Sequence, residues 1–224
     1  MPASPDAPRD LPDVEHYFTA SPAGPQERRR IVVRLAGQDV EVETAGGVFS
    51  PGRLDLGTEV LLRAVPAPPP TGELLDLGCG WGPVALTLAR RSPAARVWAV
   101  DVNERALDLV RSNAARLGLP GVVAARPQDV PADVRFDAIW SNPPIRVGKA
   151  ALHELLRTWL PRLRPGGRAH LVVQRNLGAD SLQAWLAAQW PGAVDVARLA
   201  GAKGYRVLEV VARDDAGEGA LSGA

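Results

Sequence analysis

The chain has 224 residues and a formal net charge of +1; 46% of the residues are hydrophobic and 23% are charged. This composition is ample for a buried core, and the weak net charge neither requires nor excludes a polyanionic partner. The single cysteine, Cys79, excludes an internal disulfide and fits a reducing compartment.

Targeting segments and metal motifs are not visible in the sequence. No run approaches the roughly 18 apolar residues of a membrane span, and the N-terminus lacks a basic segment followed by an apolar core. We therefore expect a cytoplasmic protein with no membrane partner. His16, His153 and His170 are scattered without metal-ligand spacing, so no metal site is predicted.

The first 70 residues predict a small extension that leads into the main fold. Residues 1–12 carry prolines and acids and are expected to be disordered. Two apolar runs, 31–35 and 40–44, flank a turn at Gly37 and predict a β-hairpin. Residues 54–65 predict one short helix, which the following prolines end. The resulting division is an extension at 13–70, a main domain at 71–213 and a disordered tail at 214–224.

Strands and helices alternate after this extension, which favours parallel βαβ units and an α/β fold. The predicted strands are 73–77, 96–101, 122–126, 136–141, 168–174, 193–200 and 205–211. The predicted helices are 84–91, 104–117, 150–160 and 181–190. Because residues 201–204 are too few for a parallel crossover, the last two strands should pair antiparallel.

A glycine-rich turn follows the first strand of the main domain. Asp76 precedes Gly78, Gly80 and Gly82, and a helix begins at once. Without a Cβ, these positions let a ligand approach the backbone at a helix N-terminus. The spacing differs from the Gly-x-Gly-x-x-Gly of nicotinamide and flavin sites. The carboxylate of Asp76 would repel phosphate, and it suits an ammonium with a neighbouring sulfonium.

This turn resembles motif I of the class I S-adenosylmethionine (SAM)-dependent methyltransferases. The resemblance implies a Rossmann-like, seven-stranded fold with an antiparallel C-terminal hairpin, here preceded by the N-terminal hairpin. It implies SAM as the cofactor, bound by Asp76, Gly78, Cys79, Gly80 and Gly82. Packing of a small residue in a tight loop also accounts for Cys79.

Two further acids follow strands of the same domain. Asp101 can accept both ribose hydroxyls, or it can cap helix 104–117, a role that Asn103 could fill instead. An NAD enzyme would place a similar acid there. Combined with motif I, we interpret Asp101 and Val102 as cofactor-binding. The methyltransferase pattern also assigns Asp129 to the adenine, although a plain turn fits this residue equally well.

The strand at 136–141 ends in Asn142-Pro143-Pro144. The amide oxygen of Asn142 and the carbonyl of Pro143 can accept both protons of a planar amine and so orient its lone pair toward a methyl group. The turn resembles the Asn-Pro-Pro-aromatic motif of methyltransferases that modify exocyclic or amide nitrogens. The resemblance implies that these three residues are catalytic and that Asn142 also touches the cofactor. Ile145 stands where the motif has an aromatic residue, so stacking on a base is lost there or supplied by another residue.

Three segments point to a smaller group within these methyltransferases: 47–50, 55–58 and 142–149. They resemble the small-domain methyltransferases related to bacterial 16S ribosomal RNA guanine-N2 methyltransferases, in a single-domain branch, over residues 15–211. This likeness implies that Phe49 and Ser50 lie in a segment that covers the cofactor; loop packing is the alternative for Ser50.

Three residues beside the reactive turn are candidates for substrate binding. Ile145, Arg146 and Lys149 flank the turn, and the two cations could contact phosphate or a guanine edge, cap a helix, or be solvated. The run Arg28-Arg29-Arg30 fits either an extended phosphate-binding surface or a solvated face.

These residues predict an enzyme that transfers a methyl group from SAM to the N2 atom of guanine in ribosomal RNA, with RNA or the small ribosomal subunit as partner. One alternative is methylation of another amine: adenine, a protein glutamine or a small molecule. A second is a nucleotide-dependent oxidoreductase, which the glycine spacing and Asp76 oppose. A third is a non-catalytic RNA-binding or assembly factor, which the intact Asn142-Pro143-Pro144 opposes.

Overall fold

A computed structural model describes residues 27–214 of the chain. The segments expected to be disordered, 1–12 and 214–224, lie outside the described residues except for Asp214, as does His16. The strands are β1 (Arg28–Leu35), β2 (Gln38–Ala45), β3 (Thr71–Leu77), β4 (Ala94–Val100), β5 (Val122–Ala125), β6 (Phe136–Ser141), β7 (Leu163–Gln174), β8 (Val194–Ala202) and β9 (Tyr205–Ala212). The α-helices are α1 (Leu56–Ala64), α2 (Pro83–Arg91), α3 (Glu104–Arg116), α4 (Lys149–Trp159) and α5 (Ala179–Gln189).

Seven strands form one mixed sheet in the order β5-β4-β3-β6-β7-β9-β8. The pairs from β5 to β7 are parallel, whereas β9 is antiparallel to both β7 and β8. This topology confirms the predicted α/β fold with its antiparallel C-terminal hairpin. The turn between β8 and β9 has only two residues, Lys203 and Gly204, and both have positive φ (51° and 80°), as a tight hairpin turn requires.

The core has two layers, one on each face of the sheet. Consecutive residues of β3 point to opposite faces: Leu74 packs in the layer with α1, α2 and α3, and Leu75 packs in the layer with α4 and α5. Strands that are buried on both faces read as continuous apolar runs, which is why β3 and β4 were recognisable in the sequence.

The predicted N-terminal hairpin is present as β1 and β2, a separate two-stranded antiparallel sheet. Its inward residues, including Leu35 and Val42, share one hydrophobic cluster with α1, α2 and α3. The buried side chain of Asn113 on α3 joins the hairpin to that layer: Nδ2 donates to the carbonyl of Glu43 (2.9 Å), and Oδ1 accepts from the Glu43 amide (2.6 Å).

The strand β7 is longer than the sequence indicated. We predicted a strand from residue 168, but β7 begins at Leu163 and runs through Gly166 and Gly167. Its register against β6 shifts between Phe136 and Ala138, which marks a bulge. A Cβ at Gly167 would lie 2.8 Å from the carbonyl oxygen of Arg164, so this irregular strand start requires glycine. A Pro-Gly-Gly segment otherwise reads as a turn, which explains the difference.

Two features are absent from the described residues. Across residues 27–214, none of the helices is long and apolar enough to span a membrane. Within the same range, no three His, Cys, Asp or Glu side chains are grouped so that they could hold a metal ion.

Candidate active site at the carboxyl edge of the sheet

The glycine-rich turn connects β3 to α2 at the carboxyl edge of the sheet. Gly78, Gly80 and Gly82 all have positive φ, of 77°, 54° and 98°. A Cβ on Gly78 would meet no atom within 4 Å, so this glycine faces open space, whereas one on Gly82 would lie 3.0 Å from Val110 Cγ2. The first glycine thus permits close approach of a ligand, and the last permits close packing of the turn against α3.

Asp76 is buried beneath this turn. Its Oδ2 accepts a hydrogen bond from the backbone amide of Ala85 (2.8 Å), in the first turn of α2, whose N-cap Gly82 has no side chain to offer. Burial raises the pKa of Asp76 to about 8, and the nearby carboxylate of Asp101 adds to the rise. Asp76 therefore holds its proton readily. A cation bound next to it would stabilise the carboxylate and so favour loss of this proton.

Cys79 is also buried in the turn. Its backbone amide donates to the carbonyl of Val100 (3.0 Å), and burial raises the pKa of its thiol well above the ordinary value. A buried thiol of this kind is unreactive.

Asp101 follows β4 and holds the glycine-rich turn. Its carboxylate accepts from the backbone amides of Gly80 (2.9 Å) and Asn103 (2.9 Å), and burial raises its pKa above the ordinary value. The N-cap of α3 is Asn103, whose Oδ1 accepts from the amide of Arg105 (3.0 Å). Asp101 thus does not cap the helix. Val102, 45% exposed, lies beside it as a surface apolar side chain.

The segment after β2 lies across the glycine-rich turn. A Cβ on Gly80 would lie 4.0 Å from Phe49 Cβ, and Trp81 Nε1 donates to the carbonyl of Ser50 (3.3 Å). Asn103 Nδ2 donates to the carbonyl of Gly47 (2.8 Å) and ties the same segment to α3. The Ser50 hydroxyl donates to the carbonyl of Arg53 (2.8 Å), so it stabilises the loop itself.

The Asn-Pro-Pro turn leaves β6 next to the end of β3. Asn142 Nδ2 donates to Asp55 Oδ2 (2.8 Å) and to Thr58 Oγ1 (3.0 Å). Pro144 has φ −74° and ψ 75°, an inverse γ-turn, and the Pro143 carbonyl accepts from the amide of Ile145 (2.8 Å). One lone pair of the Pro143 carbonyl is therefore engaged within the turn, and the second stays available to a ligand.

These parts enclose one cleft, which brings together residues that are far apart in the sequence. The side chains and backbone that line it belong to the covering segment, the start of α1, the glycine-rich turn and the end of β6: Phe49, Ser50, Asp55, Thr58, Asp76, Gly78, Cys79, Gly80, Trp81, Pro83, Val84 and Asn142. Sequence analysis did not identify Asp55 and Thr58 as neighbours of Asn142. The available signal was the Asp-Leu-Gly-Thr segment at 55–58, which we recognised only as a family resemblance.

A second cavity of about 350 Å³ adjoins the Asn-Pro-Pro turn, between the N-terminal ends of α4 and α5. Ile145, Leu152, Val173, Leu177 and Leu182 form its apolar wall, and Lys149, His153 and Ser181 add polar groups. His153 stacks on the Trp185 ring, with 3.8 Å between the centroids, and burial together with Arg157 and Lys149 lowers its pKa.

Two predicted site residues are not seen in the lining of either cavity. Asp129 is exposed in a short 3₁₀ turn after β5, apart from the lining of the cleft. Arg146 lies in the 3₁₀ turn Ile145–Val147 that follows the prolines, and only its backbone is described.

Exposed cationic side chains lie near the cleft and the second cavity. Arg53 precedes α1, Lys149 begins α4, and Arg175 follows β7, so all three lie at the edge that carries the cleft. Among the described residues, none of the three has an acidic partner within ion-pair distance. In contrast, Arg28 and Arg30 of the N-terminal run pair with Glu43, so that run presents a largely neutralised face.

Comparisons with known proteins identify the family of the chain. The family model of the methyltransferase small domain matches residues 39–209. The chain is similar to the uncharacterized protein YbxB of Bacillus subtilis strain 168, with 32% identity over 170 residues, which are 75% of this chain and 85% of that protein. It is similar to ribosomal RNA small subunit methyltransferase C of Pseudomonas aeruginosa strain LESB58, with 39% identity over 153 residues.

Among solved structures, the chain resembles the 16S rRNA N2 G1207 methyltransferase RsmC of T. thermophilus in complex with AdoMet and guanosine, with 26% identity and a TM-score of 0.68. The match covers 86% of this chain and 53% of that one; the Pseudomonas match covers 66% of this chain and 46% of that protein. The chain thus spans about half the length of these two RNA methyltransferases. The match of the family model over most of the sequence shows that the chain belongs to the methyltransferase small-domain family.

Proposed function

We propose that this protein methylates the exocyclic N2 amine of guanine in ribosomal RNA. SAM is its methyl donor. The observation that carries the proposal is the single cleft in which Asp76 and Gly78 of the glycine-rich turn meet Asn142 of the Asn-Pro-Pro turn.

The residues of the cleft fit SAM, which supplies an electrophilic methyl group when bound. Asp76 offers a carboxyl group to the ammonium, and the open face of Gly78 leaves room for the ligand against the backbone. The carboxylate of Asp101 accepts backbone hydrogen bonds from Gly80, Val102 and Asn103, and it retains lone-pair capacity for the ribose hydroxyls. In this proposal, Val102 and Asp129 lie toward the adenine of SAM at the carboxyl edge of the sheet. Phe49 and Ser50 belong to the segment that covers the cofactor.

Asn142 and Pro143 hold the amine to be methylated. The amide oxygen of Asn142 and the free lone pair of the Pro143 carbonyl accept the two amine protons, which aims the nitrogen lone pair into the cleft. The buried Pro143 and the γ-turn at Pro144 keep both acceptors in a fixed geometry, so catalysis relies on orientation rather than on acid–base chemistry.

The second cavity supports a base as the acceptor. It lies beside Asn142-Pro143-Pro144, and its volume of about 350 Å³ is within the usual range for small-molecule pockets. Its aliphatic wall, including Ile145, would contact the face of a base that is splayed out of the RNA. Lys149 at the rim would contact a phosphate or a base edge.

Similar proteins support the part of the proposal that names N2 of guanine in ribosomal RNA as the methylated atom. The T. thermophilus structure is named as a 16S rRNA N2 G1207 methyltransferase, and the Pseudomonas protein as a ribosomal RNA small subunit methyltransferase. This chain spans about half of either protein, so the identity of the group that it methylates is part of the proposal.

The test has two steps. First, calorimetry measures SAM binding by the wild type and by Asp101→Ala, for which we expect sharply weakened binding. Second, tritium-labelled SAM is incubated with small ribosomal subunits and with naked RNA, and the label is traced to N2-methylguanosine after digestion. Asn142→Ala should lower the transfer rate about 100-fold or more, since it removes an acceptor that orients the amine.

Each contrary outcome has a distinct meaning. Label in protein or small molecules, or in another nucleoside, would disprove the acceptor and leave the methyltransferase activity standing. Unchanged transfer by Asn142→Ala would disprove the role of the Asn-Pro-Pro turn. A failure of the wild type to bind SAM would disprove the assignment of the cleft.

A further inference from the structure

The carboxamide of Asn142 is held from one side only. Its Nδ2 has two acceptors, Asp55 Oδ2 at 2.8 Å and Thr58 Oγ1 at 3.0 Å. Within residues 27–214, apart from the Arg146 side chain, which the structure does not describe, no group donates a hydrogen bond to its Oδ1. Both acceptors belong to the start of α1, 87 and 84 residues before Asn142 in the chain.

Asp55 distinguishes the two ends of this amide. A carboxylate only accepts hydrogen bonds, whereas a carboxamide has a donor end and an acceptor end of nearly the same shape. If the amide were flipped, its oxygen would face the carboxylate oxygen at hydrogen-bond distance, which is repulsive. Asp55 therefore fixes the amino group toward α1 and leaves the oxygen available on the other side. A hydroxyl such as that of Thr58 cannot make this distinction, because it donates as well as accepts.

The position of Asp55 does not depend on Asn142. Asp55 is the N-cap of α1, and its Oδ2 also accepts from the backbone amide of Thr58 (3.0 Å). Gly57 keeps the space that this carboxylate needs, since a Cβ there would lie 3.0 Å from Asp55 Oδ2 and 2.8 Å from Tyr205 Cε1. The helix start thus holds the carboxylate in place before Asn142 contacts it.

We propose that Asp55 is a positioning residue: it sets the orientation of the Asn142 carboxamide so that Oδ1 faces the amine of the substrate. Thr58 Oγ1 accepts a second hydrogen bond from the same amino group, so it holds the amide in place without selecting between its two ends. This inference rests on the proposed function, because it concerns the acceptor that holds the amine. It also explains why the extension before the main domain belongs to the active site.

Asp55→Ser is the variant of choice. Serine is as good an N-cap as aspartate, so α1 should keep its start. Its hydroxyl donates as well as accepts, so it tolerates either end of the Asn142 amide, and the orientation is then no longer enforced. We expect kcat at saturating SAM to fall roughly 10- to 100-fold, as misplaced reacting groups do, with SAM affinity and melting temperature close to wild type. Asp195→Ser, an exposed residue on β8, is the matched control and should leave all three unchanged.

Two further comparisons separate positioning from a structural role. Thr58→Val should lower kcat and Thr58→Ser should restore it, because only the hydroxyl contacts Asn142. In a double-mutant cycle, Asp55→Ser should have no further effect when added to Asn142→Ala, since Asp55 acts only through Asn142. Effects that multiply would overturn the proposal, and so would a loss of SAM affinity with unchanged kcat at saturation, which would make Asp55 a cofactor-binding residue.

A readout without catalysis keeps this inference separate from the proposed function. The chain has only four asparagines, so ¹⁵N labelling of asparagine allows the side-chain amide of Asn142 to be assigned by comparison with Asn142→Ala. We expect slow hydrogen exchange of this amide in the wild type and faster exchange in Asp55→Ser. If the wild type transfers no methyl group to RNA, the proposed function fails while exchange still tests the contact. Equal exchange in both proteins would overturn the orientation by Asp55.

Discussion

At the scale of single residues, Asp76 combines two requirements in one side chain. It completes the N-terminus of α2 by accepting from the Ala85 amide, and it presents a carboxyl group to the cleft. The low-dielectric surroundings favour the protonated form, so its pKa lies near 8. A ligand with an ammonium group reverses this preference, because it stabilises the charged carboxylate.

This residue predicts a proton release on binding. Below about pH 8 the free protein holds a proton on Asp76, and the SAM ammonium should expel it, so affinity should rise with pH between 6 and 7.5. Calorimetry at pH 7 in two buffers of different ionisation enthalpy should show release approaching one proton per SAM. Asp76→Asn should bind more weakly and lose the release. An unchanged proton count in that variant would contradict the prediction.

At the scale of elements, α3 joins the hairpin to the cofactor turn through Asn113. This buried side chain pairs with both backbone groups of Glu43 on β2, and its Nδ2 also donates to the carbonyl of Trp81 (3.1 Å). The amide and the carbonyl of Glu43 on β2 face α3, and Asn113 supplies a hydrogen-bond partner for each of them. The hairpin and the glycine-rich turn are thus held by the same amide.

Asn113→Ala should therefore destabilise the whole protein. The change takes this partner from the carbonyl of Trp81, which is buried, and from the amide and carbonyl of Glu43, which are partly buried, and we expect the free energy of unfolding to fall by about 3 kcal/mol. Ser112→Ala is the neighbouring control: it removes a single bond from Ser112 Oγ to Glu43 Oε2 in a partly exposed position and should cost about 1 kcal/mol or less. Urea unfolding followed by circular dichroism measures both. Equal losses in the two variants would refute this role of Asn113.

At the scale of the whole molecule, the parallel strands bring the reactive loops and the unpaired cations to one edge. The turns after β3, β4 and β6 meet there, as the topology of an open α/β sheet requires. Arg53, Lys149 and Arg175 at this edge lack acidic partners among the described residues, in contrast to the paired arginines of the hairpin. The charge distribution therefore favours a polyanion at the cleft even though the net charge is only +1.

Arg175→Ala and Arg53→Ala should each weaken RNA binding and reduce the slope of log K against log salt by about 1, with SAM affinity unchanged. The control is Arg34→Ala, an exposed arginine on β1 that pairs with Asp39 (3.3 Å). Fluorescence anisotropy with a labelled RNA at several salt concentrations makes the comparison. If Arg34→Ala weakens binding as much as Arg175→Ala, the positive edge has no special role.

Local patterns account for most of what could be predicted. The alternating hairpin runs, the glycine turn after β3 and the short connection before β9 are short-range signals, and the structure contains each of these elements, although the last connection is Lys203-Gly204 and not the predicted 201–204. The start of β7 was missed, because its Pro-Gly-Gly segment has the composition of a turn and is held as a strand only by its register with β6. The roles of Asp101 and Asn103 could not be separated from spacing alone, since both precede α3; the hydrogen bond to Arg105 assigns the cap to Asn103.

The sequence by itself determined the fold class and the family, and it placed the glycine-rich turn and the Asn-Pro-Pro turn after their strands, because each of these is written in contiguous segments with their own periodicity or spacing. Only the tertiary structure decided which side chains act on one another. Asp55 and Asn142 are 87 residues apart, and their contact depends on how α1 packs against the end of β6. A hydrogen bond between side chains requires both distance and direction, and the order of residues along the chain specifies neither.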